Sequence, residues 1–328
     1  MSHTHDLLTT FAGLPVASLL PVGELEYDWH ADPAAVRPED GLPTADAVAW
    51  RMRVYHEDSA ENAEDFPAHF ERFLKIVDTT RIRALIIGSW GPSYEDYEIL
   101  PQQLLCASAD RFPMLRHLYI GDISREEDEI SWIDPGDVTP VLEAFPALET
   151  LEVKGAPGFE PTRHEALRSL EFHSGGLPAA VPAAVGASEF PALRRLSAML
   201  GTPNYGGIGD TDPLAGILSG IGLPLLTHLG LRDSAVQDAV AAAVAGAPVV
   251  ERLTELDLSM GALGDEGAEA LLNGQPLTHL KRLDLHHHFI SEPMRERLRD
   301  ALVPSGVDVD LSEPCEVREW GRYIAVAE

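Results

Sequence analysis

The chain has 328 residues, 45% of them hydrophobic, and carries 53 acidic against 24 basic side chains, a formal net charge of −29. So acidic a surface repels phosphate, which excludes nucleic acid as an expected partner and favours a partner of basic character. Two cysteines, Cys106 and Cys315, are too few for a disulfide framework and indicate a reducing, cytoplasmic setting.

At the start, the apolar stretch 7–22 has no lysine or arginine before it and is interrupted by Pro15 and Pro21, which makes it a poor secretory leader. Residues 1–43 otherwise lack periodicity and carry Pro33, Pro38 and Pro43. Residues 1–45 are expected to form an N-terminal cap over the open edge of the first repeat. A pattern of the form L-x-x-L-x-L then recurs at Ala49-Met52-Val54, Ile82-Leu85-Ile87, Leu115-Leu118-Ile120, Leu148-Leu151-Val153, Leu167-Leu170-Phe172, Leu193-Leu196-Ala198, Leu226-Leu229-Leu231, Leu253-Leu256-Leu258 and Leu280-Leu283-Leu285. Val309 and Leu311 close the series. The last two residues of each triplet are two apart and share one strand face, which a single repeat cannot bury, so repeats must stack.

Between these strands, residues 64–79, 97–109, 138–144, 235–247, 269–272 and 293–303 read as helices. The step of 19 residues from Leu148 to Leu167 is too short for a helical return, so an irregular connection is expected there. Pro178 and Pro182 should shorten or delay a helix in 177–188. The longest nearly unbroken apolar run, 239–250, is too short to span a bilayer. Residues 46–312 thus read as an α/β leucine-rich-repeat solenoid of nine to ten strands. Residues 313–328 read as a C-terminal cap, with Trp320, Tyr323, Ile324 and Val326 lying over the final repeat.

The segment Gly264-Asp265-Glu266-Gly267-Ala268-Glu269-Ala270-Leu271-Leu272, together with the anchors, resembles the ribonuclease-inhibitor-like class of leucine-rich repeats over roughly 49–311. The resemblance implies a horseshoe with a parallel sheet on the concave face and helices on the convex face, and it implies protein–protein recognition. Three further stretches resemble a narrower, actinomycete-type bacterial leucine-rich-repeat family that brings no established activity. They are Gly121-Asp122-Ile123 with Glu129-Ile130-Ser131-Trp132, Leu200-Gly201-Thr202-Pro203-Asn204-Tyr205-Gly206-Gly207, and Leu283-Asp284-Leu285-His286-His287-His288. The asparagine usual three residues past the last strand leucine is replaced by Ser234, Gly261 and His288, so its side-chain ladder is absent or remade. At that position His288 should be a buried imidazole bonding a backbone carbonyl.

Alternation turns the residue between the two strand anchors toward the concave face. That column reads Arg53, Ile86, Tyr119, Glu152, Glu171, Ser197, Gly230, Asp257, Asp284, Asp310, with neighbours ~4.8 Å apart. Glu255, Arg282, Asp308, Ser259 and His286 gather at its C-terminal part. Adjacent carboxylates repel, so the patch should bind something positive or carry raised pKa values. A basic peptide suits it, as does a divalent metal with His286 as nitrogen ligand; a solvated polar face is the plain alternative. His286, His287 and His288 point alternately, so at most two could share one ion.

The strand-exit loops share one rim and hold Trp90, Asp122, His173, Asn204, Tyr205, Arg232 and the histidine cluster. Their glycines permit close approach to a ligand, and Trp90 and Tyr205 suit interface anchors. The candidate binding residues are therefore Trp90, Tyr119, Asp122, Glu152, Glu171, His173, Asn204, Tyr205, Arg232, Asp257, Asp284, His286 and His287. No G-x-S-x-G, H-E-x-x-H, paired C-x-x-C, dinucleotide or P-loop motif occurs, and Cys106 sits on the core side of a predicted helix, where a thiol is inert. The sequence reads as a non-enzymatic protein-interaction scaffold with no cofactor, nucleic acid or membrane partner. The alternative is a metal- or small-ligand-binding enzyme centred on His286, Asp257, Asp284 and His173.

Overall fold

A computed structural model describes residues 7–22, 32–54, 64–91, 98–319 and 321–327. The fold is an α/β leucine-rich-repeat solenoid, in which successive repeats each add a strand to a mostly parallel sheet and return through helices or irregular segments. Two compact units divide it, Met1–Lys154 and Gly155–Glu328. Among the described residues no helix is long and apolar enough to cross a membrane.

In the first unit the strands run β1 (Thr10–Phe11), β2 (Leu14–Leu19), β4 (Ala49–Met52), β5 (Ala84–Gly88), β6 (His117–Asp122) and β7 (Thr150–Lys154), with β3 (Ala35–Val36) also on β2. Among the described residues of this unit only β1 and β2 are antiparallel; the rest pair in parallel. The helices are α1 (Phe66–Ile76), α2 (Pro101–Ala107) and α3 (Thr139–Ala144), each shorter than its apolar periodicity suggests. Helix α1 starts where the Asp65 carboxylate accepts the Ala68 N–H at 2.8 Å, a side-chain cap for an otherwise orphaned donor. Its inner face, Phe66, Phe70 and Phe73, is buried, with Phe73 edge-on to Trp50 at 5.6 Å. Tyr97, the predicted start of the second helix, lies outside the described residues.

One register expectation fails here. Trp50 pairs with Leu85, Arg51 with Ile86 and Met52 with Ile87, so the first triplet sits two residues from its predicted alignment. A slip of two preserves which face each side chain takes, so alternation alone could not detect it. The column residue is Arg51, not Arg53; both are buried, and Arg53 pairs instead with Glu127. The N-terminal segment does more than add β2 beside β4. It turns back through Ala12 and Gly13, both with positive φ (51° and 75°), and seats Phe11 on Ala49, Ala84, Ile86 and Tyr119.

In the second unit β8 (Ser169–His173), β9 (Arg195–Gly201), β10 (His228–Ser234), β11 (Glu255–Asp257), β12 (Arg282–Asp284) and β13 (Asp308–Asp310) are parallel neighbours in chain order. Leu170, Leu196, Leu229, Leu256, Leu283 and Val309 form one row across them, and the five leucines are at most 1% exposed. Behind the sheet stand α4 (Ala180–Ala187), α5 (Ala215–Ser219), α6 (Gln237–Ala245), α7 (Asp265–Asn273) and α8 (Glu292–Leu302). The short step holds no helix, as its length requires; residues 162–164 instead bond along 188 and 189.

The missing asparagine ladder is remade by Gln237, which is fully buried. Its amide donates to Leu231 O at 2.8 Å and accepts from Ser234 N at 3.0 Å. At the next exit but one His288 does comparable work, with Nδ1 accepting from Ile290 N at 3.0 Å and Nε2 lying 3.2 Å from Leu311 O. Asp233, Met260, His287 and Glu313 each take a left-handed conformation, φ 52° to 68°, two residues beyond the last strand leucine. This costs about 1 kcal/mol per side chain and turns the chain off the sheet at the same point of each of these repeats.

The C-terminal tail departs from expectation. It does not lie over the final repeat but runs back along the strand-exit rim. Tyr323 meets His287 and Phe289 edge-on at 5.5 and 5.2 Å, Ala325 N donates to Met260 O at 2.8 Å, and Val326 N donates to Asp233 Oδ1 at 3.0 Å. Arg322 bonds Asp238 at 2.6 Å. Trp320 lies outside the described residues.

Candidate functional site

The parallel register of β8–β13 sets three columns of side chains on the free face of the second unit. The first is Ser169, Arg195, His228, Glu255, Arg282 and Asp308; the second is Glu171, Ser197, Gly230, Asp257, Asp284 and Asp310. Continuing each strand by two residues gives the third, His173, Met199, Arg232, Ser259 and His286. Strands at ~4.8 Å spacing bring neighbours in a column within hydrogen-bonding reach.

The carboxylates here are interleaved with cations, Arg282 among them as the sequence placed it. Arg195 binds Glu171 at 2.7 Å, and His228 Nε2 lies 3.0 Å from Glu255. Arg282 reaches Asp284, Asp308 and Asp310 at 2.9, 2.7 and 2.8 Å. His286 Nδ1 lies 2.7 Å from Asp284. The pKa pattern agrees with this pairing. Burial works against ionisation of Asp284, but the hydrogen bonds from His286 and Arg282 hold its carboxyl down to about 2. The same Asp284 bond raises the His286 imidazole. Only Asp257 behaves as the sequence suggested. Burial lifts its carboxyl, and its nearest guanidinium, Arg232, stands 3.7 Å away.

Beside Asp257 the column contains Gly230, and the missing side chain leaves a recess of about 130 Å³. Arg195, Ser197, His228, Glu255, Asp257 and Arg282 are among its lining. The Ser197 hydroxyl is buried and has no hydrogen-bond partner.

The remaining predicted residues divide by unit. In the first, Trp90 is only 7% exposed and cannot serve as an interface anchor. Tyr119 is equally buried, with Phe11 edge-on at 6.0 Å. Asp122 is buried against Arg51, accepting from its Nε at 2.8 Å; burial raises its carboxyl and Arg51 opposes the rise. Arg51 also binds Asp32 at 3.0 Å and the Leu8 carbonyl, while Leu8 N lies 3.3 Å from Asp122. The N-terminal segment thus fills this unit's free face. Glu152 is half-buried on β7.

In the second unit Glu171, Arg232, Asp257, Asp284 and His286 converge on the free face, while His173, also half-buried, stands four strands from His286, roughly 19 Å at strand spacing. Among the described residues no three of His, Cys, Asp or Glu are grouped to hold a metal ion. His287 is packed beneath Tyr323. Asn204 is exposed and Tyr205 half-buried in a single turn, Pro203–Tyr205. The glycines nearby serve packing between loops: a side chain at Gly176 would strike the Tyr205 carbonyl, and one at Gly201 the Gly175 carbonyl. Arg195 and His228 were missed as site residues, although counting the column two residues before the central one reaches both.

Neither a protein-family profile nor a curated protein matches the chain. Among solved structures, a protein from Bacteroides fragilis, determined as a structural-genomics target, is 30% identical, covers 78% of this chain and 72% of its own, and superposes with a TM-score of 0.69. An internalin (inlF) from Listeria monocytogenes is 15% identical over 73% of this chain and 77% of its own, with a TM-score of 0.34, too loose to carry an argument. With that identity over that span, the chain belongs to the same family as the Bacteroides fragilis protein.

Proposed function

We propose that the chain is a non-enzymatic cytoplasmic scaffold, of the actinomycete type its sequence resembles, which recognises a protein partner with the free face of its second unit. The observation that carries the proposal is the contrast between two equivalent surfaces. In the first unit the free face is occupied by Leu8 and Phe11 of the chain itself. In the second the corresponding columns hold ordered ion pairs whose members stay accessible, with the side chains of Arg195, Arg282 and Asp308 exposed by 46%, 39% and 66%. Ion pairs already fixed in place need little ordering when a partner docks, so such a face favours recognition by pattern. The tail on the rim narrows the surface: His287 is covered, while Asn204 and Tyr205 remain at its edge.

The test is affinity capture with the wild type and with a Glu255→Arg/Asp308→Arg bait, then reconstitution with the purified partner and cross-link mapping. A stoichiometric partner that cross-links to residues 195–308 and is lost with the variant supports the reading. A partner held equally by both proteins overturns the assignment of the face.

A further inference from the structure

The geometry points to the recess at Gly230 as a receptor for one primary ammonium or guanidinium group, the end of a lysine- or arginine-like side chain; its use by a partner rests on the scaffold reading above. Two independent features make it a built site. The first is shape. Every other member of the central column from Glu171 to Asp310 has a side chain, and only Gly230 leaves the sheet bare, between Ser197 and Asp257. The second is the Ser197 hydroxyl, which lines this recess at 3% exposure with no partner of its own. A buried hydroxyl left without a hydrogen bond costs about 1–3 kcal/mol, and a donor entering the recess would relieve it.

Charge selects the class of ligand. Arg195 and Arg282 border the recess, but Glu171 engages the first and Asp284, Asp308 and Asp310 engage the second, so neither offers an uncommitted charge to an anion. Asp257 is the opposite case. Its guanidinium partner is beyond hydrogen-bonding distance, Ser259 offers it only neutral donors, with the backbone N at 3.0 Å from Oδ1, and burial still lifts its carboxyl. Glu255 leans on His228, which is a cation only when protonated. Across the three columns six carboxylates face three guanidiniums. An ammonium placed between Ser197 Oγ and Asp257 would meet a hydroxyl acceptor and an under-compensated carboxylate together, and charge-assisted bonds of this kind are among the stronger ones.

The full-length protein can be titrated with n-butylammonium and methylguanidinium, with n-butanol and acetate as controls, monitoring amide chemical shifts. The expected result is saturable shifts confined to residues 195–197, 228–230 and 255–257 with either cation and none with butanol. Two variants sharpen it. A Cβ at Gly230 would lie 2.9 Å from Ser197 Oγ, which can rotate away, so Gly230→Ala puts a methyl group against the Ser197 hydroxyl and obstructs the floor of the recess at little cost to the fold. Asp257→Asn keeps the shape and removes the charge. Each should weaken cation binding at least tenfold while leaving the melting temperature within a few degrees. Acetate shifting these amides more strongly than the cations, or cation binding unchanged in both variants, would overturn the proposal. The two readings fail separately. A captured partner that binds Gly230→Ala as it binds wild type leaves the scaffold standing and removes the recess from it. Cation binding without any partner for the face does the reverse.

Discussion

Replacing Asp233 by asparagine should stabilise the second unit at neutral pH and make little difference below pH 4. Asp233 is fully buried at the strand-exit turn; Oδ1 accepts from Val326 N, while Oδ2 has no partner. Burial pushes its carboxyl well above 3.8, and the tail N–H groups and Arg232 only partly counter it. A carboxyl whose folded pKa is raised favours the fold while protonated. That stability is full below the unfolded value near 3.8 and is lost as pH rises through the folded value. Each unit of displacement costs about 1.4 kcal/mol once the group is ionised. At about 2.1 cal/mol/K per residue, one such unit is worth about 4 °C if the second unit melts alone and about 2 °C if the whole chain melts together. Asparagine keeps the acceptor for Val326 N, tolerates the φ of 55°, and leaves at the Oδ2 position an amide no worse placed than an acid hydroxyl. Melting temperatures of both proteins at pH 3.5, 5.5 and 8, clear of the isoelectric region near 4.7, provide the assay. The difference should open in favour of asparagine as pH rises. Parallel curves, or a gap of constant size, would refute the argument that burial dominates this carboxyl.

Gln237→Ala should cost about 2–4 kcal/mol in denaturant unfolding, because it orphans both Ser234 N and Leu231 O in the core; a loss below about 1 kcal/mol would mean that the turn re-pairs without it. Arg51→Ala should cost about 3–5 kcal/mol by leaving Asp32 and Asp122 buried without their guanidinium, and should accelerate hydrogen exchange at Phe11; intact protection there would separate the N-terminal segment from this network. Imidazole titrations by NMR should place His286 above 6.5, His288 below it and His69 at about 4. The contribution of the His286–Asp284 pair is complete between about pH 4, where Asp284 is ionised in both states, and pH 6.5; it disappears as pH rises through the His286 value or falls through the Asp284 value of about 2, so Asp284→Asn should lower the His286 value, and an unchanged titration would exclude the pair in solution.

Leucine spacing made the repeats legible because a strand buried on one side must alternate, and the nine segments repeat that alternation. The same logic set Glu171, Asp257 and Asp284 in one column, and the strand pairing has them in register. It could not see the two-residue slip at Arg51, since alternation is blind to even shifts. It set Arg282 beside the acidic column, but the two partners of Arg282 that lie 26 and 28 residues away, Asp308 and Asp310, are brought close only by strand adjacency. Trp90 carried the composition of an interface anchor, yet burial of a single aromatic is decided by what lies above it, and no local pattern reports that. Nor did periodicity reveal the tail on the rim, because its partners are backbone carbonyls, aromatic edges and carboxylates rather than a repeated apolar stripe.

With 53 carboxylates against 24 lysines and arginines, long-range attraction draws a basic partner to almost any part of this surface, and screening at physiological salt confines it to about 8 Å. Net charge therefore supplies encounter but no address. If the free face of the second unit is the recognition surface proposed above, an address requires that most of its carboxylates already be engaged by fixed partners, so that a cation gains less there, and that one be left short. Arg195, Arg282 and His286 impose the first condition on Glu171, Asp284, Asp308 and Asp310. Arg232, held at 3.7 Å, leaves Asp257 to meet the second. On that proposal the arginines of the face would act against the wrong cation as much as for the right one, which is how specificity is obtained where attraction alone does not discriminate.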